Sequence, residues 1–128
     1  MKIATWNVNS INVRLPQLVG WLAVAQPDVL CVQETKTVDD GFPALELQAA
    51  GYDVVFTGEK AYNGVAILSK LPINDVHVNL PGDDESAPKR MIAATINGIR
   101  IVNTYVPNGN ELWSDKFKFK LDWLQRLR

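Results

Sequence analysis

The sequence predicts a layered fold of sheet and helices, of the α/β (α+β) class, and three observations indicate it. The chain opens with the pattern of a strand, a helix and a second strand, which is typical of a sheet covered by helices. Strand patterns then dominate its middle part. Residues 114–128 form an amphipathic helix pattern whose apolar surface is wide enough to need a partner layer. The length of 128 residues is that of one compact domain.

The first elements follow from composition and spacing. Lys2–Asn9 is rich in β-branched and aromatic residues and is predicted to be a strand. A helix is predicted next, with Pro16 in its first turn, because four apolar residues recur at the spacing of one helix face: Leu15, Leu18, Val19 and Leu22. Asp28–Val32 is an almost continuous apolar run, which is typical of a strand buried on both faces.

The middle of the chain combines one short helix pattern with several strand patterns. The helix covers Ala44–Ala50 and ends at Gly51. Five strand patterns follow: Tyr52–Phe56, Val65–Leu68, Asp75–Leu80, Met91–Ile96 and Arg100–Val106. Asn97-Gly98 separates the last two and predicts a hairpin. His77 has apolar neighbours on both sides, so we expect it to face solvent on its strand and not to act as a base.

The final helix pattern carries two apolar stripes, one of Phe117, Leu121 and Leu124 and one of Phe119, Trp123 and Leu127. Lysines alternate with its aromatic residues, which is typical of a nucleic-acid-binding surface. The stripes favour instead a core position for the aromatic residues. The pattern reaches Arg128 without a stop signal. The helix either ends the protein or belongs to the front part of a longer one.

Composition excludes several classes of protein. The net charge of −1 excludes a generally basic nucleic-acid binder, although a local positive patch remains compatible with it. The single cysteine, Cys31, excludes a disulfide framework and a cysteine-rich zinc site, and its apolar strand predicts an inert thiol. No apolar run approaches the ~20 residues of a membrane helix, and Asn7 comes too early for a secretory signal. We therefore expect a soluble, cytoplasmic protein.

Two clusters of polar residues follow the first two predicted strands. Asn7 and Asn9 point to the same side, and their amides could orient a phosphate or a metal-bound carboxylate; the alternative is a pair of turn-forming residues. Glu34 follows the apolar strand, where a carboxylate is well placed to bind a hard divalent cation. Lys36 could contact a phosphate. The alternative is a solvated turn with a surface ion pair.

A third polar cluster follows the last predicted strand. Tyr105 and Asn108 could each donate a hydrogen bond to a phosphate oxygen; the alternative for Tyr105 is a ring packed beneath a turn. Arg90 could bind a phosphate with its two-pronged guanidinium, or remain solvated. Because all three clusters follow strands, we expect them to converge at one rim of a sheet. That arrangement suits metal-assisted chemistry on a phosphate ester.

Three segments contain these polar clusters: T-W-N-V-N at 5–9, P-D-V-L-C-V-Q-E-T-K at 27–36 and N-T-Y-V-P-N-G at 103–109. In them the chain resembles the endonuclease/exonuclease/phosphatase superfamily, and more closely its exonuclease III / apurinic-apyrimidinic endonuclease branch, and they are the most specific part of the resemblance. Supporting segments are Y-N-G-V-A-I-L-S at 62–69 and the L-P-G-D-D-E loop followed by Lys89-Arg90. The resemblance runs over the whole chain.

The resemblance implies roles for individual residues. Glu34 is a magnesium ligand, and Asn7 is a catalytic residue that orients the metal site or the scissile phosphate. Tyr105 is the second catalytic residue and contacts the phosphate in or near the transition state. Five further positions contact DNA phosphates or lie beside the DNA: Asn9, Lys36, Tyr62, Arg90 and Asn108. The implied reaction is hydrolysis of phosphodiesters of duplex DNA at abasic sites or from 3′ ends.

The resemblance also implies the cofactor, the partners and the architecture. Mg²⁺ is the implied ion, with Mn²⁺ as the alternative; the partner is duplex DNA, with neither a membrane nor a nucleotide cofactor involved. The implied fold is a sandwich of two sheets with outer helices. Residues 1–128 supply roughly its first mixed sheet and the helices outside it, as the N-terminal half of the domain.

The sequence also departs from the family pattern. It contains no G-D-x-N segment and no S-D-H segment, so the family's general base and its His–Asp pair have no counterpart. We expect the chain to be inactive alone or to need a second part. The alternative is a non-catalytic, truncated product that binds metal or DNA, or self-associates through the face left open by the missing half.

Overall fold

A computed structural model describes residues 1–128. The elements follow in the order β1 (Ile3–Asn7), α1 (Ile11–Ala25), β2 (Val29–Gln33), α2 (Ala44–Ala49), β3 (Asp53–Thr57), β4 (Val65–Ser69), β5 (Asn74–Val78), β6 (Met91–Ile96), β7 (Ile99–Thr104) and α3 (Asp115–Leu127). A single 3₁₀ turn, Asp39–Gly41, precedes α2. None of the helices combines the length and the apolar character that crossing a membrane requires.

The strands form two sheets. The first is mixed, with the order β1-β2-β4-β3; β1 and β2 run parallel and the other neighbours antiparallel. The second is antiparallel, with the order β5-β6-β7. The predicted first mixed sheet is therefore present, and the chain contributes three strands to a second sheet as well. The Asn97-Gly98 hairpin is confirmed: both residues have positive φ (52° and 74°), as a two-residue turn between twisted strands requires.

The layers are held together by three apolar clusters. Helices α1 and α2 cover one face of the first sheet, where Ile11, Leu18, Leu22 and Leu47 pack against Leu30, Val32 and Leu68. The other face packs on the second sheet through Val29, Cys31, Ile67, Ile92 and Ala94. Strand β2 is thus buried on both faces, as its apolar run predicts. Each fully buried aliphatic side chain of these clusters stabilises the fold by about 1.5–3 kcal/mol.

Helix α1 begins earlier than its apolar spacing predicts. The hydroxyl of Ser10 accepts a hydrogen bond from the Val13 N–H at 3.4 Å and caps the helix at Ile11. Pro16 therefore lies inside the helix and not in its first turn. One main-chain hydrogen bond is lost there. The helix then ends at Gln26, which adopts a left-handed conformation (φ 46°).

Helix α3 covers the outer face of the second sheet with only one of its two apolar stripes. Trp123 is buried against Met91 and Ala93, with Leu127 packed beside it. Phe119 is 38% exposed and lies 6.0 Å from the guanidinium of Arg90. The prediction that the aromatic residues of this helix belong to the core is therefore wrong for Phe119. Stripe geometry alone does not show which face meets the sheet.

Two single residues behave as the sequence predicts. His77 is exposed on β5. Cys31 is buried, and burial raises the pKa of its thiol to about 11. The thiol therefore stays protonated and unreactive at neutral pH.

Candidate active site

The first part of the candidate site is the loop that follows β2, which lies beside Asn9 of the loop that follows β1, and the backbone at both is held in an unusual conformation. Asn9, Glu34 and Lys36 all have positive φ (45°, 56° and 55°), which side chains with a Cβ rarely adopt. Main-chain hydrogen bonds hold the loop on both sides: the Ser10 N–H donates to the Glu34 carbonyl at 2.8 Å, and the Lys36 N–H donates to the Asn63 carbonyl at 2.9 Å. Such conformations persist where the surroundings enforce them, which is common at functional sites.

Four side chains at this loop form a connected polar group. The Asn7 amide donates a hydrogen bond to Glu34 Oε1 at 2.8 Å. Lys36 Nζ lies 3.5 Å from Glu34 Oε2 and donates to Asn9 Oδ1 at 2.5 Å. The Asn9 N–H in turn donates to Asn7 Oδ1 at 3.2 Å. Asn7 and Lys36 thus contact the Glu34 carboxylate and Asn9 connects the two, while 21% of the Glu34 side chain stays accessible to solvent.

Arg90 and Tyr105 form a second group at the same end of the molecule. The Arg90 guanidinium lies over the Tyr105 ring at 4.7 Å and donates to the Tyr105 carbonyl at 3.2 Å. Its Nε is buried without a hydrogen-bond partner. Together with the exposed Asn108, these residues line an open cavity of about 500 Å³. Lys116 and Asp115 line it as well, so an anion in this cavity would meet two cations and one carboxylate beside the donors of Tyr105 and Asn108.

The two groups influence each other electrostatically. Burial raises the pKa of Glu34, but the hydrogen bond from Asn7, the nearby Tyr105 phenol and the charge of Lys36 outweigh it, and the net pKa is lowered. Burial, followed by the charge of Glu34, raises the pKa of Tyr105, and Arg90 opposes this only in part. At neutral pH the site therefore contains a carboxylate facing a protonated phenol.

The structure brings most of the residues singled out in the sequence to this one place. Tyr62 differs from the others: it lies on the neighbouring loop, 71% exposed. The main chain of that loop is bonded to the site, because the carbonyls of Asn63 and Gly64 accept from the N–H groups of Lys36 and Thr35. Tyr62 thus flanks the polar group and is free to contact a ligand that covers it.

A buried polar bridge supports the site, and the sequence reasoning missed it. The Asn103 amide on β7 crosses to the first sheet and donates to the carbonyls of Val32 and Ala66 at 2.9 and 2.8 Å. The Gln33 amide donates to Asn103 Oδ1 and to Thr5 Oγ1, both at 2.8 Å. Asn103 lies two residues before Tyr105 and Gln33 lies one before Glu34, so the bridge fixes the two strand ends relative to each other. In the sequence, the only indication of this bridge is that a polar residue, Asn103, occurs within the predicted strand 100–106.

Replacing Asn103 with alanine is expected to lower the free energy of unfolding by about 2–4 kcal/mol. The change removes the three hydrogen bonds of the Asn103 side chain, each of which contributes about 0.5–1.5 kcal/mol. Urea denaturation followed by circular dichroism measures the loss. The matched control is Asn74→Ala on the exposed strand β5, which is expected to change stability by less than about 0.5 kcal/mol. Equal losses in the two variants would contradict a bridging role.

The site offers oxygen ligands for a hard cation but does not enclose one. The chain contains no group of three or more His, Cys, Asp or Glu side chains that could hold a metal ion. Glu34 is an ionised, partly exposed carboxylate. The Asn7 amide nitrogen faces it, and the Asn7 amide oxygen accepts from the Asn9 N–H. Mg²⁺ is commonly bound through one or two carboxylates while it keeps several waters. The residues present therefore fit one side of a magnesium site.

Comparison with known proteins places this geometry in a family. The model of the Endonuclease/Exonuclease/phosphatase family matches residues 4–128. The exodeoxyribonuclease III of Haemophilus influenzae is 34% identical over 113 residues, which cover 85% of this chain and 42% of that protein. Two solved structures superpose over 99% of the chain. A 3′ phosphatase from Neisseria, NExo, bound to a product DNA hairpin, is 50% identical with a TM-score of 0.95, and an AP endonuclease from Archaeoglobus fulgidus is 46% identical with a TM-score of 0.93.

The chain spans about half the length of these proteins: 42% of the Haemophilus enzyme and 49% of each of the two structures. The superpositions confirm the predicted sandwich fold and the predicted resemblance to nucleases of the exonuclease III and AP endonuclease type. A family match over nearly every residue, together with this fold, shows that the chain belongs to the endonuclease/exonuclease/phosphatase family.

Proposed function

We propose that this chain is the N-terminal half of a magnesium-dependent DNA-repair nuclease, which hydrolyses phosphodiesters of duplex DNA at abasic sites, at 3′ ends, or both. The observation that carries the proposal is that Asn7 and Tyr105 converge on the solvent-accessible carboxylate of Glu34, the three residues coming from the ends of three separate strands. Such a carboxylate beside a phenol and a guanidinium suits a phosphate ester bound through a metal. The names of the similar proteins, exodeoxyribonuclease III, 3′ phosphatase and AP endonuclease, support this class of substrate.

The geometry supports the following proposed roles. Glu34 and Asn7 would hold the Mg²⁺, which would supply charge neutralisation at the scissile phosphate. The Tyr105 phenol, protonated because its pKa is raised, donates a hydrogen bond to a phosphate oxygen as negative charge develops there. Lys36 and Arg90 offer cations to phosphates on either side. Asn9, Asn108 and Tyr62 line the surface over which the DNA backbone passes.

The chain is proposed to supply only part of the reaction. Its single histidine, His77, is on the exposed strand β5 and not among the site residues. No His–Asp pair is therefore available at Glu34 to activate the attacking water or to protonate the leaving oxygen. We propose that these groups come from a second part of the protein, so that the 128 residues alone are inactive.

The test is cleavage of a duplex oligonucleotide that contains one abasic-site analogue, in Mg²⁺ and then in EDTA. The assay compares the 128-residue chain with a longer product of the same reading frame. EDTA-sensitive cleavage by the longer product alone is the expected result. Cleavage by the 128 residues themselves would show that the proposed division of the site is wrong, and inactivity of both would refute the nuclease proposal.

A non-catalytic, self-associating module is the second candidate, and the open sheet edges favour it. Strand β1 is the edge of the first sheet and β7 the edge of the second. Both carry half-exposed apolar side chains: Ile3, Ile99 and Val102. Unpaired edges of this kind promote pairing with another chain. Analytical ultracentrifugation at micromolar concentration distinguishes the candidates, because a stable monomer would argue against an apolar face that needs a second copy.

Tyr105→Phe is expected to lower turnover of the longer product by about 100-fold while changing its affinity for DNA by less than about threefold. Phenylalanine keeps the ring beneath Arg90 but removes the hydroxyl, whose hydrogen bond matters most in the transition state. Single-turnover rates and equilibrium binding of the same duplex measure the two effects separately. Weaker binding at unchanged turnover would contradict the proposed role.

A further inference from the structure

The loop between β7 and α3 presents two large apolar side chains to solvent. Leu112 is 72% exposed and Trp113 is 75% exposed. Trp113 has a positive φ of 66°, which a bulky residue rarely adopts. The turn is fixed at its end, because the Ser114 N–H donates to the Glu111 carbonyl at 3.2 Å and the Ser114 hydroxyl caps α3. The backbone therefore holds both side chains outward.

Packing within the chain does not account for this exposure. Trp113 meets the ring of Phe117 edge to face, with 5.5 Å between the centroids. A contact of this kind is common between the residue before a helix cap and the first turn of the helix. It covers only a small part of the indole, since three quarters of Trp113 remains accessible. The part of the indole that Phe117 leaves open is therefore available to a second ring.

The charges around the loop indicate what covers it. Helix α3 continues from the loop with three lysines, Lys116, Lys118 and Lys120. The acidic residues of the same stretch are Glu111 and Asp115. Lys116 also lines the cavity that contains Arg90, Tyr105 and Asn108. Exposed aromatic rings among cations are typical of surfaces that bind unpaired nucleic-acid bases. The centres of protein–protein interfaces are instead depleted in lysine.

We propose that Trp113, with Leu112 beside it, stacks on a nucleobase at an opened end or lesion of the duplex whose phosphate enters the Arg90–Tyr105 cavity. The inference rests on the proposed function and adds a contact to a base, whereas the residues assigned so far contact phosphates. Stacking is tolerant of sequence, because every base offers a π-face. The loop thus provides a preference for unpaired bases and not for a particular sequence.

The test is equilibrium binding of the 128-residue chain to a fluorescein-labelled duplex with a recessed 3′ end, followed by anisotropy in EDTA. Trp113→Ala is expected to weaken binding about tenfold, and Trp113→Phe, which keeps an aromatic ring, by about twofold. The matched control is Val24→Ala, since Val24 is 86% exposed on α1; its affinity should equal that of the wild type. Circular dichroism shows whether each variant is folded.

The salt dependence separates stacking from charge contacts. Trp113→Ala should leave the slope of log K against log[salt] unchanged, whereas Lys36→Ala should reduce its magnitude by about 1. If the wild type binds the duplex and Trp113→Ala binds equally well, the base contact is wrong and the proposed function stands. Absence of duplex binding by both the 128-residue chain and the longer product would refute both. Dissociation of a dimer by Trp113→Ala, with unchanged DNA affinity, would show that a second copy covers the loop.

Discussion

Replacing Glu34 with alanine is expected to reduce Mg²⁺-dependent cleavage by the longer product at least about 1,000-fold while leaving the fold nearly intact. Glu34 is the one carboxylate at the centre of the polar group, and it holds no buried partner. Its removal frees the Asn7 amide and the Lys36 ammonium, and both of these remain in contact with water. The loss therefore falls on metal binding and on charge stabilisation of the phosphate.

The experiment measures initial cleavage rates over a titration of Mg²⁺, together with urea denaturation of the same variant. Glu46→Ala is the matched control, because Glu46 is an exposed glutamate on α2, outside the site. It should cleave at the wild-type rate. Unchanged activity of Glu34→Ala at limiting Mg²⁺ would remove Glu34 as a metal ligand. A large loss of stability would show that its role is structural.

The pH dependence of Mg²⁺ binding follows from the same residue. The pKa of Glu34 is lowered because the hydrogen bond from Asn7, the Tyr105 phenol and the charge of Lys36 outweigh the effect of burial. A lowered pKa favours the ionised form, so protons compete with the metal only below the usual glutamate value of about 4.3. Isothermal titration calorimetry should find Mg²⁺ affinity nearly constant between about pH 5 and pH 8. An affinity that falls steeply between pH 7 and pH 6 would contradict this.

The sequence predicts the strands and the ends at which chemistry is placed, because both depend on local signals. The apolar run of β2, the Asn97-Gly98 turn and the polar residues after β1, β2 and β7 are readable without tertiary contacts. The assignment of strands to sheets is not readable in this way. An alternation of apolar and polar residues identifies the apolar face of a strand but not the strand or sheet that packs on it. For this reason the sequence predicts only the first sheet for residues 1–128, whereas β5, β6 and β7 form a second one. The orientation of α3 and the position of Phe119 fail for the same reason.

The supporting part of the site could not be predicted because it depends on contacts between distant segments. Asn103 and Gln33 are separated by 70 positions, and their bridge exists only because two sheets face each other. The requirement for glycine at position 64 also depends on a contact between distant segments. The neighbours of Gly64 in the sequence indicate a turn, but the need for glycine comes from Thr35, which the fold brings alongside it.

Gly64→Ala is expected to lower the free energy of unfolding by about 3 kcal/mol and to disturb the site more than any surface change. Gly64 has a φ of +93°, which costs a residue with a Cβ about 1–2 kcal/mol. An added Cβ would also lie 2.0 Å from Thr35 Oγ1 and 3.3 Å from Thr35 Cβ. Thr35 is buried, so relief of this clash requires a main-chain shift, for which overpacking typically costs about 1–3 kcal/mol. Because Thr35 lies between Glu34 and Lys36, the shift displaces both side chains.

A matched control separates the clash from the backbone cost. Gly51 has nearly the same φ, +96°, and an added Cβ there meets no atom within 4 Å. Gly51→Ala should therefore lose only the 1–2 kcal/mol of the left-handed conformation. In a double-mutant cycle, Thr35→Ala removes the hydroxyl that the new methyl meets, so Gly64→Ala should cost less in that background than in the wild type. If the losses of stability in the two single variants simply add in the double variant, Gly64 is required by its φ alone. The close packing of its loop on Thr35 would then no longer explain how Glu34 is held in place.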